Sequence, residues 1–151
     1  MFTIDASVHL NALNPTEPGS ADSQAFPERL HHDPRPIFSP TLLLVEVAGA
    51  VARGLDDVGQ GIAMAHALRD ITRQVLVPLD GDLAEDALRL AAEHRLRGAD
   101  AVYAAVARRC RTLLVTRDSQ QTKRLPPVVP VSSPEEAFTC LNEMLNANSM
   151  T

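Results

Sequence analysis

The stretch Ala99-Asp100-Ala101-Val102-Tyr103-Ala104-Ala105-Val106-Ala107-Arg108-Arg109, continued after Cys110-Arg111 by Thr112-Leu113-Leu114-Val115-Thr116-Arg117-Asp118, decides the fold. Ala99 to Arg109 is Ala-rich and free of Gly and Pro, which predicts a helix. Thr112 to Val115 is a short apolar run bounded by polar residues, which predicts a buried strand. A helix feeding directly into a buried strand is the second half of a βαβ crossover, the connection that parallel sheets require.

The same alternation extends in both directions. Upstream, Asp82 to Arg95 predicts a helix with Leu83, Ala87, Leu90 and Ala91 on one face, and Val75 to Leu79 a strand. Asp57 to Ile71 predicts a helix weakened by Gly59 and Gly61. Ser39-Pro40 predicts a cap and a first-turn Pro for a helix from Thr41 to Arg53, stopped by Gly54, with Leu44, Val47, Ala48, Val51 and Leu55 at helical spacing. Ile37-Phe38 is a very short strand, and His31 to Pro36 a loop. Ser20 to Leu30 predicts a helix capped by Ser20 and weakened by Pro27. Ala6 to Ala12 is a helix stopped by Pro15, and Phe2-Thr3-Ile4 is a buried strand ending at Asp5. Downstream, a short helix follows Asp118, Val128 to Val131 is a strand, and Ser133 to Leu145 is a helix capped by Ser133 with Pro134 at its first position. The pattern predicts an α/β fold with three layers, α/β/α, around a central, mainly parallel sheet. Residues 1–145 are expected to form a single domain and 146–151 a frayed tail.

Composition narrows the function. The chain has 151 residues, 45% hydrophobic and 22% charged, which fits one globular domain and excludes disordered, collagen-like and coiled-coil classes. Aromatics are 3% with no Trp, which argues against a single-strand binder built on stacked aromatic platforms. Cys110 and Cys140 are too few for a disulfide framework and are expected to be reduced and buried. The start MFTIDASVHL lacks the basic region of a secretory signal. The apolar run from Leu42 to Ala52 is broken by Glu46 and falls short of the ~20 residues of a membrane helix. The expectation is a soluble, cytoplasmic protein with no membrane partner. The formal net charge of −5 is unevenly spread: residues 1–88 carry −8, residues 89–124 carry +6 and residues 125–151 carry −3. A basic third inside an acidic chain is a polarised pattern of the kind that steers polyanions.

Four carboxylates stand in telling places. Asp5 ends the first strand, Asp100 opens the helix before the Thr112–Val115 strand, and Asp118 lies just past that strand. Glu46 interrupts the apolar helix Leu42-Leu43-Leu44-Val45-Glu46-Val47-Ala48, where a charge is costly to bury without a partner. Taken singly, the aspartates suit helix caps or turns, and Glu46 suits a solvated helix edge. Taken in order, Asp5-Ala6-Ser7, Glu46, Arg97-Gly98-Ala99-Asp100-Ala101-Val102-Tyr103-Ala104-Ala105 and Leu114-Val115-Thr116-Arg117-Asp118 resemble the PIN-domain family. The closest likeness is to VapC-like toxin ribonucleases of toxin–antitoxin pairs. The likeness runs over nearly the whole chain, and Asn14-Pro15-Thr16-Glu17-Pro18-Gly19 shares it.

The resemblance implies an acidic pocket binding one or two divalent metals and hydrolysis of RNA phosphodiesters. It places catalytic roles on Asp5, Glu46, Asp100 and Asp118, with Ser7 as the polar residue after the first acid and Thr116 as the small hydroxyl before the last. A homodimer and a cognate antitoxin are implied as partners beside the RNA substrate. Hard cations such as Mg2+ or Mn2+ prefer such oxygen ligands. Asp5 and Asp100 are the expected main ligands, with Glu46 and Asp118 acting through water or at a second metal, and Ser7 bonding a carboxylate or a substrate phosphate. Removing these four from 19 acids leaves 15 against 14 bases, so the site accounts for most of the net charge. Arg53 shares a helix face with Glu46 and is a candidate for substrate phosphate. Arg97, Arg108, Arg109, Arg111, Arg117, Lys123 and Arg124 are further candidates, each equally at home on a solvated face.

Other signals lead elsewhere. His31-His32-Asp33 lacks a second Cys/His pair at zinc spacing, and His9 sits in the first helix near Asp5. No Gly-x-Ser-x-Gly elbow or phosphate loop occurs. Three alternatives to the toxin remain open: an RNA-processing nuclease without an antitoxin, a catalytically idle RNA- or protein-binding module, and a phosphorylated receiver domain. The receiver reading suffers because Asp5 stands alone and the only Lys is Lys123, in a basic loop.

Overall fold

The computed structural model describes residues 1–148. In chain order its elements are β1 (Phe2–Ile4), α1 (Ala6–Ala12), α2 (Ser20–Leu30), β2 (Ile37–Pro40), α3 (Leu42–Leu55), α4 (Val58–Arg69), β3 (Gln74–Val77), α5 (Gly81–His94), α6 (Gly98–Cys110), β4 (Leu113–Val115), α7 (Ser119–Arg124), β5 (Val131–Ser132) and α8 (Pro134–Asn148). The strands form one five-stranded, all-parallel sheet in the order β3-β2-β1-β4-β5. Phe2 lies opposite Ile37 on one side and Leu113 on the other, and Ile4 lies opposite Val115. The chain runs outward from β1 through β2 to β3, then crosses back to β4 on the other side of β1. The gap between β1 and β4 is therefore the point where the strand order reverses, the place where open α/β sheets bind ligands.

Strand periodicity of two divides the core. Phe2, Ile4, Ile37 and Val115 pack with Val8 of α1, Phe26 and Leu30 of α2, and Ala137 and Leu141 of α8. Phe2 and Phe26 meet edge to face with ring centroids 5.2 Å apart. The larger core joins α3, α4, α5 and α6 to Leu114 and Val77. Every residue from Asp100 to Ala107 in α6 is buried. An Ala-rich sequence suits such a helix, because small side chains let it lie close to neighbours on all sides.

Several boundaries differ from the sequence expectation. Ser39 and Pro40 belong to β2 and do not cap α3. The Ser39 hydroxyl donates to the Ile4 carbonyl at 3.0 Å, and Ser39 and Pro40 pair with Leu76 and Val77 of β3. Sheet pairing overrides a local capping signature here. Helix α3 continues through Gly54 and ends at Asp56, which takes the left-handed conformation (φ 50°). Its buried stripe is Leu43, Val47 and Val51, while Leu55 is exposed. The cap of α2 is Gly19 (φ 76°), and Ser20 is its first helical residue. The last strand holds only Val131 and Ser132. Cys110 and Cys140 are free thiols, and both are half-buried rather than buried. Helix α8 extends into the stretch expected to fray, as far as Asn148, and residues 149–151 lie outside the described residues. Among the described residues no helix is long and apolar enough to cross a membrane.

Candidate active site

Asp5 leaves β1 with its backbone N–H donating to the Val115 carbonyl at 3.0 Å, which fixes it beside the end of β4. Its carboxylate caps α1, Oδ2 accepting from the Ser7 N–H at 3.1 Å. Thr116, just after β4, donates its hydroxyl to the same Oδ2 at 3.3 Å and accepts the Asp118 N–H at 3.0 Å. The Ser7 hydroxyl accepts the Arg117 N–H at 3.0 Å. Asp118 in turn caps α7, its Oδ1 accepting from Gln120 and Gln121 N–H at 2.7 and 3.0 Å. Two strand ends and two helix starts are thus tied together by short side chains that follow a strand, a common use of Asp and Thr.

Asp100 enters from the first turn of α6. Its Oδ1 accepts from Gln121 Nε2 at 3.0 Å, and the same Nε2 reaches Asp5 Oδ1 at 3.2 Å. Its Oδ2 is enclosed without a hydrogen-bond partner among the described residues. Glu46 projects from α3, and its Oε2 accepts the Tyr103 hydroxyl at 2.8 Å. Asp5, Glu46, Asp100 and Asp118 line one open cavity of about 270 Å3 together with Ser7, Leu10, Ala50 and Arg53.

Burial sets the electrostatics. It pushes the Asp5 carboxyl above its ordinary range, against hydrogen bonds from Ser7, Gln121 and Thr116. Burial also raises Glu46, opposed by the Tyr103 hydroxyl and reinforced by the charges of Asp5 and Asp100. Asp100 is raised by burial, lowered by Gln121, and raised again by the Asp118 and Asp5 charges. Burial and the Asp5 and Glu46 charges push the Tyr103 phenol upward, so it stays a donor. Three of the four acids are therefore held in surroundings that disfavour their charge, which a cation would relieve.

The donor set fits a hard divalent cation. It is all oxygen, it is anionic, and Asp100 Oδ2 is a buried acceptor in want of a partner. Among the described residues no three His, Cys, Asp or Glu side chains close around one point as a preformed cage. The open cavity leaves room for water ligands, which Mg2+ characteristically keeps.

The structure separates the expected site residues. Asp5, Ser7, Glu46, Arg53, Asp100 and Asp118 come together around the cavity. Thr116 is buried behind Asp5 rather than open to a substrate. Arg97 precedes the first residue of α6 and Lys123 lies on α7, both exposed. Arg117 departs from the expected substrate contact. Its guanidinium bonds Glu135 and donates to the Pro18 carbonyl at 2.8 Å, filling the space where Gly19 lacks a Cβ. It anchors the α1–α2 loop to α8. Arg108 pairs with Asp86 and Arg109 with Asp80, so these two bases are largely offset. His9 does not line the cavity; its enclosed Nε2 lacks a partner, and burial lowers its pKa to about 4.

Two residues escaped the sequence reading. Gln121 lies three positions past the capping Asp118, and nothing in a polar hexapeptide marks one Gln as fully buried. Tyr103 carried a signal: it is the only Tyr of the chain and lies one helical turn beyond Asp100.

The chain matches the family described as PIN domain over residues 2–125. It belongs to the PIN domain family. Solved structures share the fold. VapC20 of Mycobacterium tuberculosis, described as a Sarcin-Ricin loop cleaving toxin, is 17% identical with a TM-score of 0.69, covering 82% of this chain and 94% of that one. VapBC2 of Rickettsia felis, bound to a DNA fragment from its promoter, is 14% identical with a TM-score of 0.65, covering 87% and 97%. FitAcB of Neisseria gonorrhoeae is 20% identical with a TM-score of 0.63, covering 89% and 98%. No curated protein matches the chain in sequence. In this PIN domain the cavity opens at the β1/β4 reversal, with Asp5 and Asp118 just past the two strand ends.

Proposed function

We propose that this PIN domain is a Mg2+- or Mn2+-dependent endoribonuclease acting as the toxin of a toxin–antitoxin pair. The observation that carries the chemistry is the convergence of carboxylates from four separate elements on one open cavity, with a buried Asp100 oxygen left without a partner. Asp5 and Asp100 hold the cation, Glu46 and Asp118 complete its surroundings, and Tyr103 fixes Glu46. A bound Mg2+ or Mn2+ supplies charge neutralisation at the phosphoryl oxygens and lowers the pKa of an attacking water. Asp118 Oδ2 has no hydrogen bond among the described residues and is free to orient that water or a ligand to the metal. The Ser7 hydroxyl accepts the Arg117 N–H at 3.0 Å and meets the Thr116 hydroxyl at 3.4 Å, and turning its proton away from that long contact would offer it to a substrate phosphate. Arg53 lines the cavity from the α3 side and takes a neighbouring phosphate. The toxin class, a cytoplasmic location, a homodimer and an antitoxin partner rest on the PIN family and on VapBC2 and FitAcB as relatives in fold.

Cleavage of a mixed RNA pool tests this reading. The expected outcome is no cleavage after exhaustive EDTA, recovery with Mg2+ or Mn2+, and an Asp100→Asn rate lower by about 10²–10³-fold, the usual cost of losing one group that stabilises developing charge. Full cleavage in EDTA, or by Asp100→Asn with Mn2+ present, overturns it. Growth arrest on expression, relieved by a co-expressed small neighbouring gene product, separates a toxin from a processing nuclease.

A further inference from the structure

Gln121 is fully buried and sits among anionic oxygens. Its Nε2 donates to Asp5 Oδ1, at the end of β1, and to Asp100 Oδ1, in the first turn of α6. Its Oε1 is enclosed with no partner among the described residues, as is Asp100 Oδ2. A buried polar side chain left half-satisfied is costly unless its other half does necessary work. Here that work is visible: one amide nitrogen presents its hydrogens to a carboxylate oxygen of each of two acids that line the same cavity, at 3.2 and 3.0 Å. A divalent cation between the same two acids would do this with full charge in place of a partial dipole.

We propose that Gln121 is a built-in stand-in for the cation. Its amide bridges Asp5 and Asp100 in the metal-free protein and is displaced as the cation enters, so it keeps the empty site folded and weakens metal binding. The inference rests on the metal reading of the site given above. It also couples metal entry to an element. Gln121 lies in α7, whose first turn is capped by Asp118 Oδ1, so moving the amide disturbs the helix that the fourth acid holds.

The sign of one measurement separates this from a positioning role. A residue that merely arranges Asp5 and Asp100 for the metal weakens binding when lost, whereas a competitor strengthens it. Mn2+ binding by titration calorimetry, and melting temperature in EDTA and in Mn2+, are compared for the wild type, Gln121→Met and Gln121→Glu, with no RNA present. Met fills similar space without a donor. Glu keeps the shape and adds a carboxylate that could itself bind the ion, so tighter binding by Glu without tighter binding by Met reports a new ligand and overturns the inference. Both variants are expected to melt below the wild type in EDTA, to rise further on adding Mn2+, and to bind Mn2+ about tenfold more tightly, equivalent to about 1.4 kcal/mol. Unchanged or weaker Mn2+ affinity in the two variants, with normal binding by the wild type, overturns the inference and leaves the nuclease reading standing. Absence of Mn2+ binding by the wild type overturns both.

Discussion

The Glu46 carboxylate accepts one hydrogen bond among the described residues, from a tyrosine that is itself fully buried. That bond opposes the two influences that raise the Glu46 carboxyl, burial and the nearby Asp5 and Asp100 charges. Tyr103→Phe removes the donor and keeps the ring volume, so the Glu46 carboxyl rises further. Under the proposed metal reading Glu46 serves the site ionised, and a carboxyl raised above its ordinary value is still protonated at pH values where a free one is not. The acidic limb of the kcat/KM profile is therefore expected to move to higher pH in Tyr103→Phe, with the activity at its plateau less affected, and a stability loss of about 1 kcal/mol. An unshifted acidic limb would show that Tyr103 is structural alone. At this scale the grouping of the four acids was legible from their order and spacing along the chain, which carry the PIN resemblance, because each taken singly suits a cap, a turn or a solvated helix edge. Gln121 was not, because its burial comes from α7 folding back over Asp5 and Asp100, a non-local event that a polar hexapeptide does not announce.

Helices α3 and α4 show how a reading of elements can succeed while its reasons change. Gly61 counts against a helix in sequence, yet α4 forms around it. A Cβ there would lie 2.4 Å from the Ala48 carbonyl oxygen and 2.9 Å from the Ala52 Cβ, so the glycine is the seam along which the two helices touch. Gly54, read as a stop, lies inside α3 with nothing near its missing Cβ. The two glycines make a matched pair of opposite sign. Gly54→Ala is expected to stabilise by about 0.5–1 kcal/mol, through helix propensity and lower unfolded-state entropy. Gly61→Ala gains the same propensity but must push against backbone, and is expected to destabilise by about 1–3 kcal/mol net. Urea unfolding checks both. A stabilised Gly61→Ala would mean that α3 and α4 lie further apart than described. Since α3 carries Glu46 and Arg53, that spacing also sets one wall of the site. The Ser39-Pro40 boundary was misplaced for a related reason: a cap signature is local, while the pairing of Ser39 and Pro40 with β3 is not.

Across the whole molecule, charge and topology converge on one approach to the cavity. The segment 89–124 carries a net +6, and it supplies α6, β4 and α7, which bring Asp100 and Asp118 to the β1/β4 reversal. Sequence alone gave the polarity of this charge but not which bases are spent. The structure pairs Arg89 with Glu85, Arg108 with Asp86 and Arg109 with Asp80, all on the α5–α6 side. Arg53 lines the cavity, while Arg97 is exposed just before α6, which carries Asp100, and Lys123 is exposed on α7, which follows Asp118. Under the proposed nuclease reading, a single strand entering the cavity would meet Arg53 in its lining and Arg97 and Lys123 on the exposed surface outside it. Each phosphate neutralised on a single strand contributes about −0.7 to the slope of log affinity against log salt. Neutralising Arg53, Arg97 and Lys123 together is therefore expected to weaken RNA binding and flatten that slope by about 2. Neutralising Arg89, Arg108 and Arg109 removes the same formal charge from paired, exposed sites and is expected to change the slope little. RNA affinity against salt, measured for both triple variants in an Asp5→Asn background that cannot cleave, compares the two sets at equal net charge. Equal flattening in both would show that RNA responds to the overall charge of the segment and follows no path through the cavity.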